Sequence, residues 1–186
     1  MVSIFLEINC SYWLCVYIIQ NLLKNSSGAE IELFIVLNTK NEKTKDYLSK
    51  IIESKKYSNL ISLYFTENNN VNLLKEAKGD YICIYKDNII VNDNWLLDLL
   101  YYNYNIIDSG VVSIYNNGNK GEFTPLLSIN DTFINVWKKN DNVVDGIVLV
   151  KKELLKLLDN ESIESALLKI TKENFYIPSQ NSIKLK

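Results

Sequence analysis

Residues 2–37 read VSIFLEINCSYWLCVYIIQNLLKNSSGAEIELFIVL, and this stretch decides the fold. Val2–Ile8 and Ile31–Leu37 are short apolar runs rich in β-branched and aromatic residues, which predicts two buried strands. Between them, apolar residues recur at helical spacing. That pattern predicts an amphipathic helix that begins after Ser11 and ends at Asn25–Gly28. A strand, a helix and a second strand in this order are typical of a parallel sheet.

The same alternation continues through the first half of the chain. We predict a helix around Tyr47–Ile52, a strand at Leu60–Phe65, a short helix around Leu73–Ala77 that Gly79 closes, and a strand at Tyr81–Tyr85. Residues 38–44 and 67–70 are polar and predict loops. Four strands alternating with helices indicate an α/β fold with a mainly parallel central sheet flanked by helices. Ligands of such sheets bind beyond the carboxyl ends of the strands.

The second half of the chain has a less regular pattern. Its predicted elements are a helix at Trp95–Tyr102, strands at Gly110–Ile114, Thr132–Trp137 and Val143–Val150, a turn at Tyr115–Gly121, helices at Glu153–Leu158 and Ile163–Ile170, and short tail segments at Phe175–Pro178 and Ser182–Leu185. The sequence contains no repeat and no linker rich in Pro or Ser. Because domains commonly contain about 100–200 residues, we expect one domain over residues 1–186.

The charged residues restrict the chemistry that this chain can perform. A net charge of −2 argues against a nucleic-acid binder, because such domains usually carry a basic stripe. All 20 basic residues are Lys, and the sequence contains neither His nor Arg. Proton transfer must therefore fall to Asp, Glu, Lys, Tyr or Cys. A bound anion must be held by Lys, by backbone N–H groups or by a metal ion.

The cysteines and the amino-terminal residues indicate the compartment. The sequence has an odd number of cysteines, three, at positions Cys10, Cys15 and Cys83. Their spacing fits no zinc-binding pattern. Cys15 and Cys83 lie in apolar patterns, which predicts buried free thiols and a reducing compartment. Met1–Glu7 lacks the features of a signal peptide, and no apolar run approaches the ~20 residues of a membrane span. We therefore expect a soluble, cytoplasmic protein without a membrane span.

Six short segments, in order along the chain, carry a family resemblance. They are Val2–Leu6, Asn21–Ser26, Ile31–Thr44, Glu76–Ile82, Trp95–Leu96 and Val143–Glu153. Glu76-Ala77-Lys78-Gly79-Asp80-Tyr81-Ile82 is the closest match, since it is similar to the Ala-x-Gly-Asp-Tyr-Ile sequence that opens the central strand of family-2 glycosyltransferases. In the last segment, Lys151 and Lys152 stand where that family has two arginines. The chain thus resembles family-2 glycosyltransferases, whose fold is GT-A, over nearly its whole length.

The resemblance implies that the chain transfers a sugar from a nucleotide-diphosphate sugar, most often a UDP-sugar, to an acceptor hydroxyl with inversion. It assigns a nucleotide-binding half to residues 1–100 and an acceptor-side half to residues 101–186. The acceptor itself is unknown. Because the second half is short for the family, a protein partner or an oligomer is a further expectation.

The family's metal motif is altered in this chain. The family holds Mn²⁺ or Mg²⁺ on the diphosphate through Asp-x-Asp, and the matching positions here are Lys86, Asp87 and Asn88. Asp87 and Asp93 are nearby carboxylates, although neither stands at a carboxylate position of the motif, and Asp87 is the candidate metal ligand. Lys86 has two interpretations: it contacts the diphosphate and replaces the charge of the metal, which makes the enzyme metal-independent, or it is a solvated loop lysine.

The residues that would bind the base are also altered. The carboxylate that reads the base in the family corresponds to Leu37, which has no polar side-chain atom. The remaining donor-binding candidates at this end of the sheet are Glu7, which replaces the family's Pro, Asn9 and Asn38. For Glu7, a half-exposed carboxylate at the end of a strand is the alternative interpretation.

Acidic residues late in the chain are the candidates for the catalytic base, which must take the proton of the acceptor. Glu161 and Glu164 match the family's acidic pair and are one helical turn apart, and Asp159 lies close in sequence. The alternative is that these are ordinary acidic residues near a helix N-terminus. Asp145 is a candidate contact to the donor sugar or part of a turn. Trp95, Tyr101, Tyr102 and Tyr104 either stack on sugars or belong to the core and its rim.

Two other functional classes remain compatible with the sequence. The altered metal motif, the altered base pocket and the absence of Arg favour a catalytically inactive relative that acts as a binding or partner module. A different nucleotide-binding α/β domain is the third alternative.

Overall fold

The computed structural model describes residues 1–26, 28–37, 41–54, 61–64, 71–86, 89–105, 111–114, 122–127, 133–139, 147–155, 174–177 and 182–184. The strands are β1 Val2–Ile8, β2 Ile31–Leu37, β3 Ile61–Tyr64, β4 Tyr81–Lys86, β5 Ile89–Val91, β6 Val111–Ile114, β7 Glu122–Leu127, β8 Phe133–Lys139, β9 Val148–Lys151, β10 Asn174–Ile177 and β11 Ser182–Lys184. The helices are α1 Tyr12–Asn25, α2 Glu42–Glu53, α3 Val71–Glu76, α4 Trp95–Asn105 and α5 Lys152–Leu155.

One large sheet organises the fold. Its described strands follow the order β3-β2-β1-β4-β9-β6-β10-β8-β7, and β11 pairs with β5 separately. Strands β1 to β4 are parallel to one another. Among the nine strands of this sheet only β8 and β9 run in the opposite direction, because each pairs antiparallel with its neighbours. The predicted α/β fold with a mainly parallel sheet is therefore confirmed.

The two faces of the sheet bury alternate residues of the same strands. Ile4 and Leu6 pack on one face against α1, α2 and α4. Phe5 and Ile82 pack on the other face against α3 and α5, where the Phe5 ring stacks on Phe34 with centroids 4.7 Å apart. Alternation follows from the period of two in a strand. Each fully buried Leu, Ile or Phe stabilises the fold by about 1.5–3 kcal/mol, so these two layers hold the sheet in place.

Several predicted boundaries needed correction. Residues 38–44 were expected to form a loop, but α2 already begins at Glu42, because the Asn41 side chain accepts hydrogen bonds from two backbone N–H groups of its first turn. Strands β5 and β7 were not predicted. The expected tail segments are strands: β10 lies inside the large sheet between β6 and β8, and β11 pairs with β5. β5 and β11 have three residues each, which is too few to show an alternating pattern.

Candidate ligand-binding edge of the sheet

The carboxyl ends of β1, β2 and β4 meet at one edge of the sheet. The last paired residues of β1 and β2 are Ile8 and Leu37. Glu7 pairs with Val36 on one side and with Lys86 on the other. Neighbouring strands lie about 4.8 Å apart, so a carboxylate and an ammonium group extend from adjacent positions at this edge. Both side chains belong to the sheet face that carries Phe5 and Ile84, because side chains alternate along each strand.

The structure brings three of the predicted site residues together and leaves the others outside the described residues. Glu7 and Lys86 are half-buried, and Asn9 is exposed directly beyond β1. Each of the three makes contacts within the protein. The predicted site residues that lie outside the described part of the chain are Asn38, Asp87, Asn88, Asp145, Asp159, Glu161 and Glu164. Their roles, like those of the other three, stay predictions.

Leu37 is a core residue. Only 5% of its surface is exposed, and it packs in the layer formed with α1 and α2. Four residues further along the chain, the Asn41 side chain accepts hydrogen bonds from Lys43 N at 3.0 Å and Thr44 N at 3.3 Å. The first N–H groups of α2 are thus occupied by their own chain. The position of the family's base-reading carboxylate is filled by apolar packing.

The resemblance to family-2 glycosyltransferases implies a divalent metal, which needs a set of ligating side chains. The described residues contain no group of three or more His, Cys, Asp or Glu side chains close enough to hold a metal ion. At the predicted place, Lys86 puts a cation where the motif has its first carboxylate, and such a charge opposes a neighbouring metal ion. Asp87 lies outside the described residues. The described residues alone therefore do not fit a metal site.

The aromatic candidates divide into core and surface residues. Trp95 is fully buried; its Nε1 donates to Ser26 Oγ at 3.2 Å, and its ring packs edge-on against Tyr85 at 5.6 Å. Of its two predicted roles, core packing is correct and sugar stacking is wrong. Tyr101 and Tyr104 are 50% and 81% exposed. The side chain of Tyr102 is outside the described part of the chain.

Trp13 is a surface residue at this edge that the sequence analysis missed. It lies in the first turn of α1, directly beyond β1, and is 77% exposed. Its ring packs edge-on against the Tyr12 ring, with centroids 4.9 Å apart. The Tyr12 ring in turn packs edge-on against Tyr47 of α2, with centroids 5.9 Å apart. A signal was present in the sequence, since position 13 falls outside the apolar stripe through Cys15 and Ile18.

The segment Glu76–Ile82, which is the closest match to family-2 glycosyltransferases, lies at the opposite edge of the sheet, where β4 begins. Gly79 N donates to Ser3 Oγ at 2.9 Å and to Glu32 Oε1 at 3.2 Å, just before β4 begins. A Cβ on Gly79 would lie 2.5 Å from Ser3 Oγ and 2.6 Å from Ser3 N. Only glycine fits there, so packing requires Gly79 at this position. From Tyr81 to Lys86 the strand spans roughly 17 Å, at about 3.3 Å per residue, so this position is far from the candidate edge.

A cleft of about 470 Å³ opens at that same amino-terminal edge. It is lined by Lys78, Gly79, Asp80, Tyr81, Lys151, Lys152 and Glu153. Lys152 is part of its wall, because its Nζ donates to Ala77 O and its backbone N to Asp80 O at 2.9 Å.

Two reactive groups of β4 are unsuited to proton transfer or nucleophilic attack. Burial raises the pKa of the Cys83 thiol far above its usual range. Burial, and to a lesser degree repulsion from the negative charge that an ionised Cys83 would carry, raises the pKa of the Tyr85 hydroxyl in the same way. This hydroxyl donates to Ile89 O at 2.8 Å. Both groups stay protonated in the folded protein. Cys10, Cys15 and Cys83 are all free thiols, and the latter two are buried, as predicted.

Solved structures with the same fold support the α/β assignment. No protein-family model and no curated protein sequence matches this chain. The structure of S. aureus TarS 1–349 aligns with a TM-score of 0.62 and 14% identity, over 97% of this chain and 59% of that one. A mannosyltransferase from Pyrobaculum calidifontis, in complex with GDP-Man and Mn²⁺, aligns with a TM-score of 0.59 and 13% identity, over 84% of this chain and 46% of that one.

A synthase of similar length has the same fold. The 4-diphosphocytidyl-2C-methyl-D-erythritol synthase of Anaerococcus prevotii has a TM-score of 0.61 and 10% identity, over 100% of this chain and 92% of that one. By contrast, this chain spans only 59% and 46% of the TarS and mannosyltransferase chains. These likenesses show that the chain has the GT-A-type fold. None of the helices in the described segments is both long and apolar enough to cross a membrane.

Proposed function

We propose that the chain is a glycosyltransferase that binds a nucleotide-diphosphate sugar, with UDP-sugars as the first candidates, at the carboxyl edge of β1, β2 and β4. The observation that carries the proposal is the position of Lys86, which is the last residue of β4 and pairs with Glu7 of β1. Solved structures with this fold include the mannosyltransferase with GDP-Man and a galactosyltransferase, LgtC, with donor and acceptor sugar analogues. The ligands of these two structures are the reason for proposing a nucleotide-diphosphate sugar here.

Lys86 would hold the diphosphate. Sugar transfer makes the nucleoside diphosphate a leaving group, and its growing negative charge must be stabilised. In a chain without Arg, an ammonium group at the end of β4 is suited to this role. Mn²⁺ or Mg²⁺, if bound through Asp87, would neutralise the same charge. In either case Lys86 orients the diphosphate at the edge of the sheet.

The other predicted residues complete the reaction. Glu7, Asn9 and Asn38 would contact the nucleoside, and the exposed indole of Trp13 offers a face on which a base could stack. Glu161 or Glu164 would take the proton of the acceptor hydroxyl, which is what inversion requires. Asp145 would contact the donor sugar, and Asn88 is a further candidate for donor binding.

A binding or partner module without activity is the second candidate. Leu37 favours it, because a buried apolar residue stands at the position of the base-reading carboxylate. The two functions predict different results with the same set of ligands.

Thermal denaturation with UDP-, GDP- and CDP-sugars, with and without Mn²⁺, tests the proposal. A ligand at 100 times its Kd stabilises the folded chain by about 2.7 kcal/mol, which raises the Tm by about 5–10 °C. We expect such a shift with at least one donor, together with slow hydrolysis of that donor. A shift without hydrolysis supports the binding module. No shift with any donor contradicts the proposal.

Lys86→Ala is the variant that tests the site. It removes a charged hydrogen bond to the diphosphate, so donor affinity should fall by about tenfold to a hundredfold. Lys78→Ala is the matched control, since Lys78 is exposed and lies beyond the opposite end of β4. Equal affinity of the Lys86→Ala and Lys78→Ala variants would mean that the donor binds elsewhere. Loss of binding in Asp87→Ala alone, and only with Mn²⁺ present, would mean that the metal carries the diphosphate instead.

A further inference from the structure

Two asparagines of α1 hold one residue of β5 by its main chain. Asn21 Oδ1 accepts from Val91 N at 2.9 Å, and Asn21 Nδ2 donates to Val91 O at 3.1 Å. Asn25 Nδ2 donates to the same Val91 O at 2.6 Å. The carboxamide of Asn21 thus pairs with Val91 as a neighbouring strand would, by one donor and one acceptor. Three hydrogen bonds converge on a single residue.

Without these bonds β5 would be weakly held. It has three residues, and among the described strands it pairs only with β11, which also has three. Two strands alone are marginally stable in water. Ile89 and Val91 are 2% and 1% exposed, and their apolar contacts keep β5 against the core. Because apolar contacts have no direction, they do not fix where β5 lies along the axis of α1. A pair of hydrogen bonds in opposite directions does fix that position, because sliding by one residue would break both.

β5 begins three residues after Lys86, the candidate diphosphate contact. The chain between them is therefore held at both ends: Lys86 by its pairing with Glu7 in β1, and β5 by Asn21 and Asn25. A third contact ties the two ends together, since the Tyr85 hydroxyl donates to Ile89 O at 2.8 Å. Residues that bind a ligand must be held near their productive geometry before the ligand arrives.

We propose that Asn21, assisted by Asn25, is a positioning residue of the donor site, which acts by fixing the strand that follows Lys86. The inference rests on the proposed function for its effect on donor binding, but not for the local effect on β5. Asn21 touches no donor atom. It lowers the cost of binding by keeping β5 in one place. An apolar residue at position 21 could fill the same space but could not pair with the Val91 main chain.

Amide hydrogen exchange and donor binding, measured on the same variants, test the proposal. The variants are Asn21→Ala, Asn25→Ala and the double variant, with Lys24→Ala as control, because Lys24 is exposed on the same helix between the two asparagines. Asn21→Ala should accelerate exchange in peptides that cover residues 86–91 by about tenfold, with exchange in β1 and β2 unchanged. The double variant should show a larger acceleration, and Lys24→Ala none.

Donor affinity should follow the local exchange. In Asn21→Ala we expect a Kd for the donor sugar about tenfold higher, with kcat reduced less than KM is raised, since the residue acts before chemistry. Unchanged exchange over residues 86–91 overturns the proposal, whether or not a donor binds. Accelerated exchange with unchanged donor Kd also overturns it, because β5 then has no part in the site. If the wild type binds no donor, the proposed function fails, and the positioning of a donor by Asn21 fails with it, while the exchange data still report whether Asn21 holds β5.

Discussion

At the scale of single residues, close approach decides which side chain is allowed. Gly79 brings its backbone against Ser3, and Glu32 Oε1 accepts from both the Ser3 hydroxyl, at 2.5 Å, and Gly79 N, at 3.2 Å. These bonds join the start of β4 to β1 and β2 at the amino-terminal edge. A glycine in a family-like motif can therefore be required for packing at a place far from any ligand.

Gly79→Ala should destabilise the protein strongly. The added Cβ would lie 2.5 Å from Ser3 Oγ and 2.6 Å from Ser3 N, so main-chain atoms must move. Overpacking of this kind costs about 1–3 kcal/mol, and the loss of the bonds to Gly79 N adds to it. Urea denaturation at equilibrium measures the change in unfolding free energy.

Gly28→Ala is the matched control for this prediction. Among the described residues, its Cβ would meet the Leu97 side chain, with Cδ1 at 2.9 Å and Cγ at 3.7 Å, and Leu97 is 41% exposed and can move. We expect a change below about 0.5 kcal/mol. If both variants are equally stable, close approach at Gly79 is not what requires the glycine. If Gly79→Ala keeps its stability but loses donor binding, the motif has a direct functional role.

At the scale of elements, helix starts differ in how they are capped. Ser11 directly precedes α1, as predicted, and its backbone is extended, but its side chain makes no capping hydrogen bond. Asn41 precedes α2 and caps it with two bonds, which is why that helix begins before its apolar stripe. The apolar pattern marks the buried turns of a helix, whereas the cap determines where the helix begins.

Replacing each cap residue by Ala should separate these two cases. Asn41→Ala should lower the free energy of unfolding by about 1 kcal/mol, because two N–H groups of α2 lose their acceptor. Ser11→Ala should change it by no more than a few tenths of a kcal/mol, since no side-chain bond is lost. Chemical denaturation of the two variants under the same conditions measures both values. A larger loss in Ser11→Ala than in Asn41→Ala would contradict this assignment of the caps.

At the scale of the whole molecule, the sheet buries ionisable groups as part of its core. Cys83 is fully buried in β4, and Tyr85 lies two residues further on the same face. Because burial raises both pKa values in the folded protein, the folded state keeps protons that the unfolded state releases at high pH. The stability that these groups contribute is complete below the unfolded pKa values, about 8.5 for a thiol and 10 for a tyrosine. It is lost as the pH rises beyond them.

The free energy of unfolding should therefore decrease between about pH 8.5 and pH 10. Each such group contributes a slope of up to about 1.4 kcal/mol per pH unit. Cys83→Ala lowers stability at all pH values through the lost packing, but its slope in this interval should be smaller than that of the wild type. Urea denaturation at several pH values measures both slopes. An equal slope in the two proteins would show that the Cys83 thiol does not titrate differently on unfolding.

Local patterns in the sequence were sufficient for much of the fold. Alternating apolar runs and helical stripes predicted β1 to β4 and the helices between them, and their parallel arrangement follows from that alternation. The same patterns placed Glu7, Asn9 and Lys86 at one edge, because the carboxyl ends of parallel strands share an edge. The resemblance to family-2 glycosyltransferases predicts an altered metal motif at Lys86–Asn88 and an apolar residue, Leu37, in place of the base-reading carboxylate.

Only the tertiary structure decided which distant residues meet. Gly79 contacts Ser3 across 76 residues of chain, and Val91 pairs with Asn21 across 70. β10 takes its place between β6 and β8, although its sequence suggested a tail. Periodicity reports which side of an element is buried, but not against what, because burial depends on apolar surface alone. Hydrogen bonds and close approaches depend on both partners, and those partners are brought together only by the folded chain.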